Sequence, residues 1–524
     1  MSTITIPGIL ILKGNKTYGR LLSKDNQANL LEGRMQTTNL KDNKTNLKEG
    51  KLLYKVILNN KTHCLIPYEI KQLGFSKVLD NLYVLISNEN KLIETIGPVS
   101  SNEAFYEYQL HCHGLKQSST LFKNKIMKSL KNYKDDDSIE EINKLYNLEQ
   151  RVDLSWYIFS IDPEGSTDFD DAFSIKKLDN ENLLLSIYIA NVPIWLDWLS
   201  NANPDINLSD LNKISTIYLS NNKHPMLPNI LSDDLCSLWA KKKRIAFTLD
   251  LEIDKDYNII KTSFCNTLIC VRKNWTYDDP HLVLNEHYIK LLNCVNKMNK
   301  KELINDSHKL VEYLMIEMNC ICGKILFDNN KQAIYREAKD LDTNPVTGLN
   351  TDTNSIELNK ILRKIKACYT KQITDLPISH DMLEKESYIH ITSPIRRLVD
   401  ILNMISIQKL FGLTTFSDKI NDFFNRWFQD EQIIHINEIS KKIKSVQNKC
   451  NLLHLITNKY IPETILEGYV IDETTFYIPE YKLQCKIRNS DTIKYNLYSK
   501  YKCKLYLFEE SDSLNRKIRV DIII

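Results

Sequence analysis

The stretch IFSIDPEGSTDFDDAFSI, residues 158–175, is the part of the chain that decides its fold and chemistry. An apolar, strand-like segment leads into Asp162 and a turn of Pro, Glu, Gly and Ser, and a second apolar run follows the acidic residues Asp168, Asp170 and Asp171. Four carboxylates beside buried strands repel one another, so they need a positive partner. One or two Mg²⁺ or Mn²⁺ ions are the simplest partner, because hard divalent cations prefer oxygen ligands.

Two plainer interpretations of this stretch compete with a metal site. A solvated acidic turn is one, but the apolar strands on both sides favour a site at a sheet edge. A calcium-binding loop is the other, and its spacing is wrong: counting from Asp162, the sixth position is Thr167 instead of Gly and the twelfth is Phe173 instead of Glu.

Length and composition predict an intracellular protein of several domains. The chain has 524 residues, 43% of them hydrophobic, and a formal net charge of only +3, so any nucleic-acid site must be a local basic channel. The twelve cysteines are scattered without a CxxC pair, which is typical of reduced thiols in the cell interior. No apolar run approaches the roughly 20 residues of a membrane span. We expect a cytoplasmic location, with a nuclear one as the alternative. The basic run Lys241–Arg244 could act as a nuclear signal or line an RNA path, and a solvated turn is an equally good interpretation.

The distribution of strand and helix patterns predicts an α+β, multidomain fold with a mixed α/β centre flanked by small β-barrels. The predicted domains are a β-rich domain over 1–115, a helix and linker over 116–150, the mixed central domain over 151–460 and a C-terminal β-domain over 461–524.

Within the central domain, Asp306–Phe327 has apolar residues at helical spacing. Its other face carries Glu312 and Asn319, which lie seven residues apart and are therefore aligned.

A second helix is predicted in HITSPIRRLVD, residues 390–400, where the Ser-Pro pair at 393–394 supplies the N-cap and first turn. Arg396 and Arg397 would then lie at the positive end of the helix dipole, which is unfavourable for cations unless an anion such as phosphate binds there. The alternative is an exposed arginine pair balanced by Asp400.

Two tyrosines are candidate base-stacking residues. Tyr218 lies in the Pro- and Asn-rich segment 215–238, and Tyr277 lies in KNWTYDD. An aromatic ring on an ordered loop can stack on a nucleobase, although a packing role is the commoner one for tyrosine.

Four blocks occur in an order that resembles the RNB catalytic domain of the ribonuclease II and ribonuclease R family. The blocks are FSIDPEGSTDFDDAFSI, YLSNNKHPMLPNILSDDLCSL, VEYLMIEMN and HITSPIRRLVDIL. The wording around Asp162 resembles the eukaryotic exosome branch more than the bacterial enzymes. The resemblance covers residues 151–455. More weakly, residues 50–90 resemble a cold-shock-like domain and the C-terminal tail resembles an OB-type RNA-binding domain.

The resemblance implies a Mg²⁺-dependent 3′-to-5′ exoribonuclease that degrades single-stranded RNA to nucleoside 5′-monophosphates. It implies that the four aspartates hold Mg²⁺, with Mn²⁺ as a substitute, and that Asp170 and Arg396 are catalytic. Tyr218, Tyr277 and Glu312 match positions near the 3′-terminal nucleotides, and Arg397 is a further candidate for substrate binding. A monomer with RNA as its partner, and without a membrane, is expected.

The sequence departs from the family pattern at three places. Gln447 stands where the bacterial members carry an acidic residue, and the aromatic partner of the Tyr218-type position has no clear match. One of two usual cold-shock domains is missing or degenerate, and no room is left for an N-terminal endonuclease domain. Two rival functions remain open: a catalytically weak RNA-binding scaffold, and a Mg²⁺-dependent enzyme acting on DNA or a small phosphoester.

Overall fold

A computed structural model describes residues 5–12, 19–22, 50–59, 62–69, 80–116, 120–131, 135–299, 302–338, 367–371, 379–380, 385–459, 465–488, 494–508 and 517–523. Internal contacts divide the chain into two compact units. The first unit comprises Met1–Gln117, Tyr218–Asn222 and Lys441–Ile524, and the second comprises Ser118–Ile217 and Lys223–Ser440. The domain boundaries expected from the sequence stay predictions.

The described residues form the following elements. The helices are α1 (Asn102–Cys112), α2 (Thr120–Leu130), α3 (Asp135–Tyr146), α4 (Val192–Ala202), α5 (Glu286–Met298), α6 (Ser307–Asp328), α7 (Leu398–Leu410), α8 (Asp418–Trp427) and α9 (Asp430–His454). The strands are β1 (Thr5–Leu10), β2 (Gly19–Leu22), β3 (Gly50–Leu58), β4 (His63–Pro67), β5 (Leu82–Ser87), β6 (Leu92–Pro98), β7 (Glu149–Arg151), β8 (Ile158–Asp162), β9 (Asp171–Lys177), β10 (Leu183–Ala190), β11 (Ile217–Tyr218), β12 (Lys223–His224), β13 (Lys243–Ile253), β14 (Ile259–Thr276), β15 (Ile334–Glu337), β16 (Cys368–Lys371), β17 (Ser379–His380), β18 (Lys385–Glu386), β19 (Leu466–Asp472), β20 (Thr475–Ile478), β21 (Leu483–Ile487), β22 (Lys500–Phe508) and β23 (Lys517–Ile523).

The first unit contains two β structures. Near the N-terminus, an antiparallel sheet has the order β2-β3-β1-β5-β6, and β4 pairs with β3. Strands β19 to β23 close into a barrel in the order β19-β20-β21-β23-β22, which confirms the barrel expected at the C-terminus. The predicted β-rich N-terminal region also ends in helix α1, which the strand pattern did not indicate.

The second unit is built on a mixed sheet with the order β13-β10-β9-β8-β14-β7, in which β13 also pairs with β14. Helix α6 packs on one face, and its apolar residues share a buried core with alternate residues of β9, β10 and β13. The opposite face of β10 carries Ser186 and Tyr188, which are buried as well. Because both faces are covered, β10 lacks the apolar–polar alternation of a half-exposed strand.

Strand β14 positions the site and is the main element that the sequence pattern misses. It is 18 residues long, pairs antiparallel with β13 and runs parallel to β7 and β8. Its polar residues at partly exposed positions hide the strand periodicity. In the parallel register Thr276 lies opposite Asp162, and the Tyr277 amide donates to the Asp162 carbonyl oxygen at 3.1 Å. The acidic turn and Tyr277 therefore meet at one end of the sheet.

Helix α6 confirms its prediction, whereas the start of helix α7 corrects one. Asp306 caps α6 by accepting from the Lys309 amide. Helix α7, however, begins at Leu398 rather than at the Ser-Pro pair. The Thr216 amide donates to the Arg396 carbonyl oxygen at 3.0 Å, and Ser215 forms an antiparallel bridge with Arg397. This pairing holds Arg397 in an extended conformation, so tertiary contacts override the capping signal.

Within the described residues, none of the helices is both long and apolar enough to cross a membrane.

Candidate active site

The acidic turn joins the end of β8 to the start of β9. Asp162 is the last residue of β8 and Asp171 the first of β9. Between them, the Ser166 amide donates to the Pro163 carbonyl oxygen, and Gly165 has φ of +78°, a conformation that glycine adopts without strain at this position of a type II turn. The turn therefore returns the chain to the sheet with its carboxylates at one edge.

Asp170 links the turn to the arginine loop. Its Oδ1 accepts from the Ile395 amide at 2.9 Å, and its Oδ2 accepts from Arg396 Nε at 3.2 Å. The Arg396 Nη2 also donates to Ser393 Oγ at 3.0 Å. Although these residues lie more than two hundred positions from Asp170, the structure brings them into direct contact, as the phosphate-binding interpretation of the loop requires. Arg396 keeps 44% of its side chain exposed, so it remains accessible to a substrate.

Arg397 occupies a different environment. Its Nη2 donates to Asp400 Oδ1 at 2.9 Å, and Asp400 is completely buried. Asp400 also accepts from the Ser393 amide at 2.7 Å, so it fixes the loop that carries Arg396. The alternative interpretation paired these arginines with Asp400, and for Arg397 the pairing is present, although buried. The role of Arg397 in substrate binding stays a prediction.

Burial raises the pKa of three of the carboxylates and so disfavours their ionised form. The pKa of Asp170 is raised to about 7 by burial, against the opposing effects of Arg396 and the Ile395 amide. Burial, with a smaller contribution from Asp168, also raises the pKa of Asp162 to about 7, although Ser160 donates to its Oδ2 at 2.7 Å. The pKa of Asp171 is raised well above its ordinary value by burial and by the charges of Asp162 and Asp170.

The aspartates have the donor chemistry for a divalent cation but are not grouped as a metal centre. Across the part of the chain that the structure describes, no three His, Cys, Asp or Glu side chains form a group that could hold a metal ion. Asp171 Oδ2 is nevertheless buried with no hydrogen-bond partner among the described residues. An oxygen in that state, beside two carboxylates of raised pKa, fits a hard cation that would neutralise them.

Tyr277 and Glu312 belong to the same unit as the aspartates. The Tyr277 ring stacks on His308 at 3.9 Å, and Ser307 Oγ donates to the Tyr277 carbonyl oxygen at 2.9 Å. Burial first, then the charges of Asp171 and Asp162, raise the pKa of Tyr277. Glu312 is exposed one turn further along α6. Both residues are therefore placed near the acidic turn by β14 and α6.

Tyr218 belongs to the first unit. It is 38% exposed, and its carbonyl oxygen accepts from Gln447 Nε2 at 3.1 Å. Gln447, which marks a departure from the bacterial pattern, thus supports the backbone of the Tyr218 loop. The base-stacking role of Tyr218 stays a prediction.

Two residues shape the site in ways that the sequence did not reveal: Asn319, which was noted without a role, and Lys223, which was not noted. Asn319 is buried in α6, where its Oδ1 accepts from the Ile391 amide at 2.9 Å and its Nδ2 donates to Tyr388. The spacing of seven residues between Glu312 and Asn319 indicates that both lie on one face of α6. It does not indicate that Asn319 is buried against residues 388–391. Lys223 is the other, and its Nζ lies 3.0 Å from Asp168 Oδ1. Its position between Asn and His residues carried no signal.

A cluster of aspartates at the ends of two central strands, bonded to an arginine loop, defines a site suited to divalent-metal and phosphate chemistry. The model of the RNB domain family matches residues 151–290 and 281–412, together half of the chain. The chain belongs to the RNB family, which confirms the resemblance.

Among related proteins, ribonuclease R of Buchnera aphidicola is 23% identical over 368 residues, covering 56% of this chain and 49% of that protein. The exosome complex exonuclease RRP44 of Homo sapiens is 21% identical over 473 residues, covering 72% of this chain and 49% of that protein. The chain spans about half the length of the curated relatives it matches.

Solved structures show the same fold. Mycoplasma genitalium RNase R in complex with ribose-methylated single-stranded RNA has a TM-score of 0.66 at 17% identity, covering 100% of this chain and 90% of that one. Yeast Ssd1, described as a pseudonuclease, has a TM-score of 0.53 at 13% identity, covering 83% and 64%. The α+β, multidomain fold class is thereby confirmed.

Proposed function

We propose that this protein is a Mg²⁺-dependent 3′-to-5′ exoribonuclease that hydrolyses single-stranded RNA to nucleoside 5′-monophosphates. The observation that carries the proposal is the contact between Asp170 and Arg396 at the edge of the sheet. It brings a phosphate-binding group to an acidic cluster in a chain of the RNB family. The names of relatives in that family, ribonuclease R and exosome exonuclease, support the reaction.

Each group in the site has a distinct task in such a reaction. Asp162, Asp168, Asp170 and Asp171 would hold the cation, which when bound supplies activation of water and stabilisation of the leaving 3′ oxygen. The exposed part of the Arg396 guanidinium donates to the scissile phosphate and offsets its developing charge. Asp170 orients that guanidinium through Nε, and Asp400 fixes the loop through the Ser393 amide.

The remaining candidates would bind the 3′ end. Tyr277 offers a ring already stacked on His308, and Glu312 offers an exposed carboxylate that can accept from a 2′-hydroxyl, a group that DNA lacks. Tyr218 would stack on a base.

We further propose that the protein acts as a monomer inside the cell, in the cytoplasm rather than the nucleus. Its twelve cysteines, all free thiols, support a reducing location.

One observation favours a second candidate, an RNA-binding scaffold without useful turnover: the similar fold of yeast Ssd1, a pseudonuclease. The retained acidic cluster supports the enzyme instead.

A single assay separates the candidates. Single-stranded RNA labelled at its 3′ end, incubated with Mg²⁺, should release a labelled mononucleotide first, and EDTA should prevent the release. Bound but intact RNA would support the scaffold. Equal hydrolysis of the DNA analogue would contradict an RNA substrate.

A further inference from the structure

Lys223 lies between two carboxylates, only one of which belongs to the acidic turn. Its Nζ donates to Asp168 Oδ1 at 3.0 Å, to Asp233 Oδ1 at 2.8 Å and to Thr167 Oγ1 at 2.7 Å. The lysine side chain is 23% exposed, and the carboxylates of Asp168 and Asp233 are 12% and 25% exposed. One ammonium group is therefore shared by two partly buried anions.

Asp233 is held in place independently of the lysine. Its Oδ1 accepts from Ser232 Oγ and its Oδ2 from Asn229 Nδ2, both at 3.0 Å, while its carbonyl oxygen accepts from Trp239 Nε1 at 2.7 Å. Asp233 is thus a fixed acceptor for the ammonium. If Lys223 leaves Asp168, Asp233 and Thr167 still hold it.

Lys223 and a divalent cation would compete for the carboxylate of Asp168. The lysine donates to Oδ1, one of only two ligand oxygens of that carboxylate, and its positive charge repels a second cation placed nearby. An ammonium group that donates to two aspartates keeps its positive charge at neutral pH. A metal can therefore use Asp168 fully only when the ammonium moves towards Asp233.

We propose that Lys223 is a resident cation that competes with the divalent metal for Asp168, and that Asp233 receives the ammonium when the metal binds. The pair Lys223–Asp233 thereby sets the metal affinity of the site. This inference rests on the proposed metal-dependent function. It makes Lys223 and Asp233 positioning residues, since they act on the metal through Asp168.

The test measures Mn²⁺ binding without RNA, by the loss of the electron paramagnetic resonance signal of free Mn²⁺. Lys223→Met keeps the aliphatic stem and removes the competing charge, so the affinity should rise by roughly tenfold. Asp233→Asn removes the anion that competes with Asp168 for the ammonium, so the lysine should hold Asp168 more tightly and the affinity should fall by about threefold or more. The double variant should resemble Lys223→Met, and Lys223→Arg, which keeps the charge, should not show the tenfold rise.

Lys242→Met is the matched control. Lys242 Nζ pairs with Asp234 at 3.0 Å in the neighbouring position, so the variant removes the same charge without touching Asp168, and its affinity should stay within about twofold of wild type. Opposite shifts for Lys223→Met and Asp233→Asn separate competition from a structural role, which would weaken binding in both.

Shifts in the same direction, a rise in Lys242→Met equal to that in Lys223→Met, or no Mn²⁺ binding by any folded variant would overturn the proposal. Circular dichroism and the melting temperature establish which variants are folded. Because the readout does not involve RNA, RNA hydrolysis in the same preparations decides separately whether the exoribonuclease proposal stands.

Discussion

Two arginine–aspartate pairs in the second unit show what distinguishes a structural ion pair from a reactive one. Arg151 and Asp250 form two parallel hydrogen bonds, Nη1–Oδ1 at 2.9 Å and Nη2–Oδ2 at 2.5 Å. Both residues are buried, and Ser186 and Tyr188 take up further positions around the guanidinium. The half-exposed Glu149 also accepts from Arg151 Nε at 2.8 Å, so all three guanidinium nitrogens donate to protein acceptors and the pair holds β7 to the polar face of the sheet.

The Asp170–Arg396 pair is incomplete by comparison. A single bond of 3.2 Å joins Nε to Oδ2, and the arginine is 44% exposed. Three further carboxylates lie in the same turn, and Asp171 Oδ2 has no hydrogen-bond partner among the described residues. When all four carboxylates are ionised, their negative charge exceeds the positive charge contributed by Arg396 and Lys223. This excess of negative charge, beside an exposed guanidinium, suits the region to a divalent cation and a phosphate. The polar groups of the Arg151–Asp250 pair are buried and already bonded to each other, so they cannot bind a ligand.

The largest expected effect concerns the balanced pair. Arg151→Met leaves Asp250 as a buried, uncompensated charge, so the free energy of unfolding should fall by about 3–5 kcal/mol. Urea denaturation measures it. The exposed pair Lys177–Glu181 in the same sheet supplies the control, because Lys177→Met should cost no more than about 0.5 kcal/mol. Equal losses would show that the Arg151 pair contributes no more than a surface one.

For the Asp170–Arg396 pair, the expected effect is on catalysis. Arg396→Lys keeps a positive charge but loses the forked donor group, so kcat/KM for RNA should fall by about a hundredfold while the melting temperature changes little. Steady-state hydrolysis of labelled RNA measures the first quantity. Arg426→Lys, in α8, is the control. An unchanged kcat/KM in Arg396→Lys would remove the arginine from the reaction.

The raised pKa of Asp162 predicts a pH dependence of stability. With a folded-state pKa of about 7, the folded protein retains a proton that the unfolded chain releases above pH 4, so metal-free stability falls as the pH rises towards 7. Asp162→Asn does not titrate, and between pH 5 and pH 7.5 it should gain about 2 kcal/mol of stability relative to wild type. Urea denaturation in EDTA checks this. Asp179→Asn, exposed in the β9–β10 turn, should show no such gain.

The smallest expected effect is on the choice between RNA and DNA. Glu312→Gln weakens acceptance from a 2′-hydroxyl, so the ratio of kcat/KM for RNA to that for DNA should fall by roughly five- to tenfold. Competition between labelled RNA and DNA oligonucleotides measures the ratio. Glu286→Gln, exposed in α5, should leave it unchanged. A change in rate without a change in the ratio would assign Glu312 another role.

The sequence pattern predicts the elements that are predominantly apolar or that show a regular helical spacing of apolar residues. Strand β10, Leu183–Ala190, is recognisable in the sequence because Leu, Ile and Tyr dominate it, with Ser186 the one polar exception. Strand β14 is not predicted because several of its residues are polar. They are accommodated in the strand by pairing with β7, β8 and β13, and this pairing cannot be read from the spacing of residues in the sequence. The start of α7 is predicted wrongly for the same reason: Thr216 and Ser215, distant in sequence, hold Arg396 and Arg397 outside the helix.

The candidate site divides in the same way. Spacing within one segment and the family resemblance indicate the four aspartates and Arg396, and the structure brings Asp170 and Arg396 together. The groups that orient them, Asn319, Asp400 and Lys223, were not identified as positioning residues. Asn319 and Lys223 act through hydrogen bonds between distant segments, and such bonds become visible only when the fold is known. Asp400 acts within its own segment, on Ser393, and its role depends on the loop conformation that precedes α7.

Asp170→Asn, compared with Asp179→Asn, tests the central claim most directly. An asparagine at 170 can still accept from the Ile395 amide, so the fold should survive, and above pH 7 the loss of a buried charge should leave the melting temperature equal or higher. Mg²⁺-dependent release of mononucleotides from single-stranded RNA should fall by at least about a hundredfold in Asp170→Asn and stay at the wild-type level in Asp179→Asn. Wild-type hydrolysis in Asp170→Asn, or a melting temperature that falls as it does in Arg151→Met, would contradict the account.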